Sequence, residues 1–357
     1  MIINSSEELR NLTGSYYANN DFEKIEAILM AVEDEVATII GRDVMASLAT
    51  ESKGEEATVR LETTDGETLK VANREFTLDS DGTLRLSNDY SAYGIIGRLD
   101  GDVLHLSNSR AVTSCRQAIA YMATMRFYRL NDISHENAGR KVKIDKENEA
   151  RPFEWQLARD DRAHLEEYYR ALDRLMEALR EDPRYWLTAA YKRQSGLIVR
   201  DADSLAYLIG TDPSPWLYQR LIPYLDESQR YVAKAYGRVE GKVNSGKFAA
   251  AILDEDEELQ HAAQMAVALG AIALMGRRTS LQTLPYGLMK LFESDGGGNR
   301  REQAALDRLD SYLKHLSGQQ HYWLNEMKQL RDEAAGEDQP THLQMPENDP
   351  HDKFMRL

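Results

Sequence analysis

Two short stretches place reactive residue types at spacings that could support chemistry. Gly241-Lys242-Val243-Asn244-Ser245-Gly246-Lys247 satisfies the first seven positions of a phosphate-cradling P-loop. The eighth is Phe248, where the motif needs a Ser or Thr hydroxyl for Mg²⁺, and the segment follows a helical pattern rather than a buried strand. A loop between two helices explains it. Glu258-Leu259-Gln260-His261 has the Glu-x-x-His spacing that brings both side chains to one helix face, as in di-metal bundle sites. Such a site needs a second pair and two further carboxylates. The nearest counterpart, Asp161-Arg162-Ala163-His164, has Asp in place of Glu within a charged run.

Other chemistry is missing from the pattern. No His-Glu-x-x-His and no Gly-x-Ser-x-Gly motif occurs, and the single cysteine, Cys115, lies in an Ala-rich helical stretch where a thiol reads as a small hydrophobe. Trp155, Trp186, Trp216 and Trp323 fall near predicted helix ends, where aromatic rings close helix pairs. The expectation is therefore no catalytic residue, no cofactor and no metal. The alternative is a helical-bundle enzyme or ligand-binding protein with a metal site at Glu258 and His261 or a nucleotide site at the Gly241–Lys247 loop.

The elements that would carry any site follow from composition and periodicity. The chain has 357 residues with a formal net charge of −15, too acidic for a general nucleic-acid binder. One cysteine excludes an intramolecular disulfide and fits a reducing compartment. No apolar run approaches the roughly 20 residues of a membrane span, and Met1-Ile2-Ile3-Asn4-Ser5-Ser6-Glu7-Glu8 lacks the basic-then-apolar order of a secretory signal. A soluble, acidic, intracellularly made protein is expected. The acidity is uneven: residues 1–110 hold 10 basic against 21 acidic groups, residues 111–200 hold 17 against 14, and residues 201–357 hold 17 against 24. A slightly basic middle between acidic flanks suits side-by-side assembly, although solvated helix faces give the same distribution.

An internal repeat organises the chain. Residues 9–42 align without a gap on residues 205–238, with Leu9 on Leu205, Gly14 on Gly210, Leu29 on Leu225, Val36 on Val232 and Gly41 on Gly237. Each copy predicts a short helix (Ser6–Leu12, Asp203–Leu208) stopped by Gly, a loop, and a helix of about five turns stopped by another Gly. Each is followed by an Ala-rich helix (Ala111–Leu130, Leu259–Met275) and a long amphipathic helix (Leu157–Arg180, Arg301–Arg331). In the long helices Leu165, Tyr168 and Leu172 match Leu309, Tyr312 and Leu316 at an offset of 144. The expected fold is mainly α, with two tandem helical-bundle units at residues 1–195 and 196–333.

One segment breaks the helical pattern. Residues 57–106 alternate apolar and polar side chains around Asp65-Gly66, Asp81-Gly82 and Asp100-Gly101, which predicts three antiparallel β-hairpins inserted into the first unit. Residues 334–357 have the composition of a flexible C-terminal tail. Its separated apolar residues Leu343, Met345, Phe354, Met355 and Leu357 make it a candidate partner-docking segment.

Ile3-Asn4-Ser5-Ser6-Glu7-Glu8-Leu9 leading into Phe22–Ile40 and Gly41, with the Ala-rich helix after Ala111, resembles the head–tail connector (adaptor) proteins of tailed bacteriophages. The likeness is to the duplicated form in phages and prophages of Bacteroidetes. Arg200-Asp201-Ala202-Asp203-Ser204-Leu205, Leu221-Ile222-Pro223-Tyr224-Leu225 and Tyr236-Gly237 look like that family's second half. The resemblance covers about two-thirds of the chain, leaves out the hairpins and the tail, and carries no catalytic signature. It implies a structural ring, commonly twelve-fold, in the virion neck, made in the bacterial host cytoplasm. Such a ring joins the portal protein to tail or stopper proteins and lets DNA pass without sequence readout. An acidic lumen along which DNA slides would be consistent with that role.

Overall fold

The computed structural model describes residues 1–16, 21–55, 57–60, 68–71, 74–78, 84–85, 95–100, 103–131, 134–136, 139–141, 154–180, 182–237, 245–279, 281–284, 287–290 and 298–334. The fold is mainly helical with small antiparallel sheets. Two compact units divide the chain, one comprising Met1–Ser195 with Ser214–Gln219, the other Gly196–Pro213 with Arg220–Leu357.

In the first unit, α1 (Ser6–Thr13) begins at Ser5, whose hydroxyl accepts the Glu8 N–H at 3.2 Å. It ends at Gly14, whose φ of 68° is a left-handed conformation that a side chain would strain. Next come α2 (Glu23–Ile40) and α3 (Arg42–Glu51). After the inserted strands, α4 (Ser109–Asn131) packs against α5 (Glu154–Leu179), and α6 (Pro183–Trp186) and α7 (Ala189–Gln194) follow. Ile25, Leu29, Val32, Val36 and Ile40 share one core with Ala118, Ile119, Leu172 and Leu175. Each fully buried Ile or Leu contributes roughly 1.5–3 kcal/mol of transfer free energy.

The insertion departs from the three hairpins that its Asp-Gly pairs predict. β1 (Ala57–Arg60) pairs antiparallel with β6 (Val103–Asn108), not with β2 (Thr68–Val71) across Asp65-Gly66. β2 pairs with β3 (Arg74–Leu78), with Val71 opposite Arg74, and β3 pairs with β4 (Leu84–Arg85) around Asp81-Gly82. β5 (Ile95–Asp100) pairs with β6, with Asp100 opposite Val103. The reason for the first departure is non-local. Ala57 and Leu106 are partners in the ladder and both are buried, so the two ends of the insertion close on each other where they leave the helical core. A further hairpin that the alternation rule missed, β7 (Ser134–Glu136) with β8 (Gly139–Lys141), joins α4 to α5.

The second unit holds α8 (Ala202–Ile209), most of α9 (Pro215–Tyr236), α10 (Ser245–Leu253), α11 (Glu257–Thr279), the hairpin β9 (Leu281–Leu284) and β10 (Gly287–Lys290), and α12 (Gly298–Ala334). α8 copies α1 closely: Asp201 caps it by accepting the Ser204 N–H at 2.7 Å, and Gly210 closes it at φ 67°. Pro223 lies inside α9 and has no N–H for the carbonyl four residues back, that of Gln219, after which the unit boundary falls. α11 is long and apolar enough to cross a membrane by length and composition, which corrects the expectation that no run approaches that length. Its Ala262, Ala263, Ala266, Val267, Ala268 and Ala271 are buried inside the unit, as in a core helix.

The element orders of the two units match, apart from the insertion and the short helices α6 and α7. α1 and α2 correspond to α8 and α9 at an offset of 196, with Ile25, Leu29, Val36 and Ala37 buried like Leu221, Leu225, Val232 and Ala233. From α4 onward the offset is 148. α4 and α11 are each 23 residues long, with Ala118, Ile119, Ala120 and Ala123 buried like Ala266, Val267, Ala268 and Ala271. The hairpins agree in register: Ser134 opposite Lys141 corresponds to Gln282 opposite Met289, and Glu136 opposite Gly139 to Leu284 opposite Gly287. The same offset puts Tyr168, Met176 and Leu179 on Leu316, Leu324 and Met327, all buried. The offset of 144 read from the long helices is thus one turn out, since it would set buried Tyr168 against Tyr312, which is 54% exposed.

Candidate functional site

A backbone clip occurs at the start of each unit. The Glu33 carboxylate accepts the Ile2 N–H at 3.0 Å, and Gln229, 196 positions on, accepts the Ile198 N–H at 2.7 Å. The other partner differs. The Met1 ammonium lies 3.8 Å from Glu33, whereas the Gln229 amide donates to the Gly196 carbonyl at 2.9 Å. A carboxylate suits a cation and an amide suits a carbonyl, so the Glu-to-Gln difference follows from what stands next to each.

The densest cluster of charge lies in the first unit, at the end of the α4–α5 pair. The Arg184 guanidinium donates to both Asp182 oxygens at 2.8 and 2.6 Å and also to Glu51. The second Glu51 oxygen accepts the Asn108 N–H at 2.6 Å. The Asn108 amide donates to Asp182 and to the Ala178 carbonyl, both at 3.0 Å, and its oxygen caps α4 by accepting the Ala111 N–H at 2.9 Å. Asp182 and Asn108 are fully buried and Arg184 is 4% exposed. Burial alone would lower the Arg184 pKa, but Asp182 and Glu51 outweigh it and hold the pKa above the ordinary value. Every charge here is paired, and nothing in the geometry presents one to a substrate. The network fixes where α3, β6, α5 and α6 meet. Sequence reading missed it, although Asp182-Pro183 is a visible helix start.

At the corresponding end of the α11–α12 pair the second unit has an open groove of about 420 Å³. It is lined by Glu257, Glu258, His261 and Ala262 from α11 and by Trp323, Glu326 and Leu330 from α12. The His261 ring meets the Trp323 ring edge-on, with centroids 5.5 Å apart. The Glu-x-x-His pair therefore does face a common space. Its supposed partner pair is otherwise engaged in the first unit: Asp161 accepts from Arg129 at 2.7 Å, and His164 lies 2.9 Å from the Ser15 hydroxyl. Among the described residues no group of three or more His, Cys, Asp or Glu side chains is placed to hold a metal ion.

The remaining sequence candidates are placed as follows. Residues 241–244 of the P-loop-like stretch lie outside the described residues, while Gly246 and Lys247 sit in the first turn of α10. Phe248 is buried in edge-on contact with Tyr236, so the position that would hold Mg²⁺ belongs to the core. Cys115 is buried, and burial, with the nearby Glu33 charge, pushes its thiol pKa far up. Trp186 is buried and donates to the Arg180 carbonyl at 2.8 Å, and Trp216 packs against the first unit's core. The side chain of Trp155 and the candidate docking residues Leu343, Met345, Phe354, Met355 and Leu357 lie outside the described residues. No protein-family model, curated protein or solved structure matches this chain.

Proposed function

We propose that the chain is a non-enzymatic structural subunit of a phage head–tail connector, built from one helical unit used twice. Subunits form a ring in the virion neck, with portal protein on one side and tail or stopper proteins on the other, and DNA passes through without sequence readout. The observation that carries this reading is the doubled plan: equal caps at Gly14 and Gly210, equal hairpin registers, and buried positions that coincide at offsets of 196 and 148. Two packing units in one chain give it two sets of surfaces for neighbours. The likeness of residues 3–9, 22–41, 200–205, 221–225 and 236–237 to connector proteins supplies the identity of those neighbours.

Mass photometry of the purified chain, alone and mixed with portal protein, tests the proposal. A ring species, or a discrete portal complex, is the expected result. A chain that stays monomeric and never joins portal would overturn it, as would stoichiometric metal by elemental analysis or nucleotide binding lost on Lys247→Ala.

A further inference from the structure

The groove at the end of α11 and α12 corresponds, at the offset of 148, to a place that the first unit fills. Glu258 falls on Arg110, Glu326 on Ala178 and Leu330 on Asp182. In the first unit the chain turns at Asp182-Pro183 directly after α5 and lays α6 back on the helix ends, burying Arg184 and Trp186 there. In the second unit α12 runs on to Ala334 with no such turn, and among the described residues none of Glu257, Glu258 and Glu326 has an ion-pair partner. The groove thus pairs three unmatched carboxylates with an indole and a leucine side chain, a surface complementary to a cationic group flanked by apolar ones.

The chain itself contains such a segment. Asp349-Pro350-His351-Asp352 repeats the Asp-Pro opening of α6 and carries two acids, and the last five residues, Lys353-Phe354-Met355-Arg356-Leu357, set two cations among three apolar residues. Leu330 is one helical turn from the end of α12, and Trp323 is about 17 Å from it along the axis. The 15 residues from Ala334 to Asp349 span up to about 50 Å. Reach is ample.

We propose that residues 349–357 dock in the groove of their own chain, with Lys353 and Arg356 against Glu257, Glu258 and Glu326, and Phe354 and Met355 against Trp323 and Leu330. The tail then does in the second unit what α6 does in the first. This does not rest on the ring, since a free monomer would show it.

Zero-length carbodiimide cross-linking of the full chain, mapped by mass spectrometry, is the test. The exposed pair Lys314–Asp310, 2.6 Å apart, serves as internal control. The expected product joins Lys353 to Glu257, Glu258 or Glu326 and runs at monomer mass. Arg356→Glu should lower its yield about tenfold and leave the control unchanged. A chain carrying Glu258→Lys, Glu326→Lys, Lys353→Glu and Arg356→Glu together should regain a cross-link between the exchanged charges. Lys353 joined only to other carboxylates, a product solely at dimer mass, or a yield indifferent to Arg356→Glu while the control forms would each overturn the proposal.

Discussion

One layer of the two units makes the clearest contrast between them. In the first, Val32, Met122 and Leu172 are buried together in an apolar core. At the matching positions the second has Ser228, Gly270 and Gln320, with the Gln320 amide donating to the Ser228 hydroxyl at 3.3 Å. A Cβ on Gly270 would lie 2.0 Å from the Gln320 amide nitrogen and 2.4 Å from the Ser228 hydroxyl, so glycine there is a condition of the polar layer. The first solution is apolar throughout, and the second pairs its polar side chains with each other over a glycine that leaves them room. The lesson is that the frame is set by caps and helix lengths, while the layers between the helices diverge freely if they do so together.

The sharpest way to break this comparison is to remove a charge from the closed end of the first unit. Arg184→Met should cost about 3–5 kcal/mol, because Asp182 and Glu51 would stay buried without a counter-charge. Urea denaturation measures it, and a loss under 1 kcal/mol would mean that the network is open to water. Gly270→Ala should come next, costing about 1–3 kcal/mol through overpacking. The same polar layer predicts that Gln320→Ala restores part of that loss when combined with it.

How far these contrasts could be read from sequence depends on the range of the interactions. The stops at Gly14 and Gly210 and the α2 stripe from Ile25 to Ile40 are local, and a single window of sequence contains them. The β1–β6 closure joins residues 57 and 106, and no Asp-Gly pair announces it. The one-turn error in the long helices has a similar cause: a stripe that recurs every three or four residues fits two registers, and only burial separates Tyr168 from Tyr312. His261 and Trp323 come from different helices, so the groove was visible only as a Glu-x-x-His spacing with no other wall.

Smaller effects sharpen the comparison. Gln229→Ala leaves the Ile198 N–H and the Gly196 carbonyl without their side-chain partner and should cost about 1–3 kcal/mol, whereas Glu33→Gln keeps an acceptor for Ile2 and should cost less than about 1 kcal/mol. Equal losses would show that Glu33 acts through its charge beside the Met1 ammonium and not only as an acceptor for Ile2. The smallest effect is confined to alkaline pH. Burial, with the Glu35 charge, pushes the Tyr168 phenol up to about 12, so the folded chain holds that proton more tightly than the unfolded one. The stability from this group is complete below about pH 10 and is lost as pH rises towards 12. Tyr168→Phe should flatten that part of the pH–stability curve. The matching position in the second unit, Leu316, contributes no such slope.

The buried Cys115 thiol has a practical consequence. Ellman's reagent should leave the native chain untouched and titrate one thiol only after unfolding. The wild-type sequence is thus already a silent background for labelling chemistry. A cysteine placed at exposed Tyr207 or Tyr312 would be the sole target for a maleimide dye or spin label, and distances could be measured on an otherwise unaltered protein.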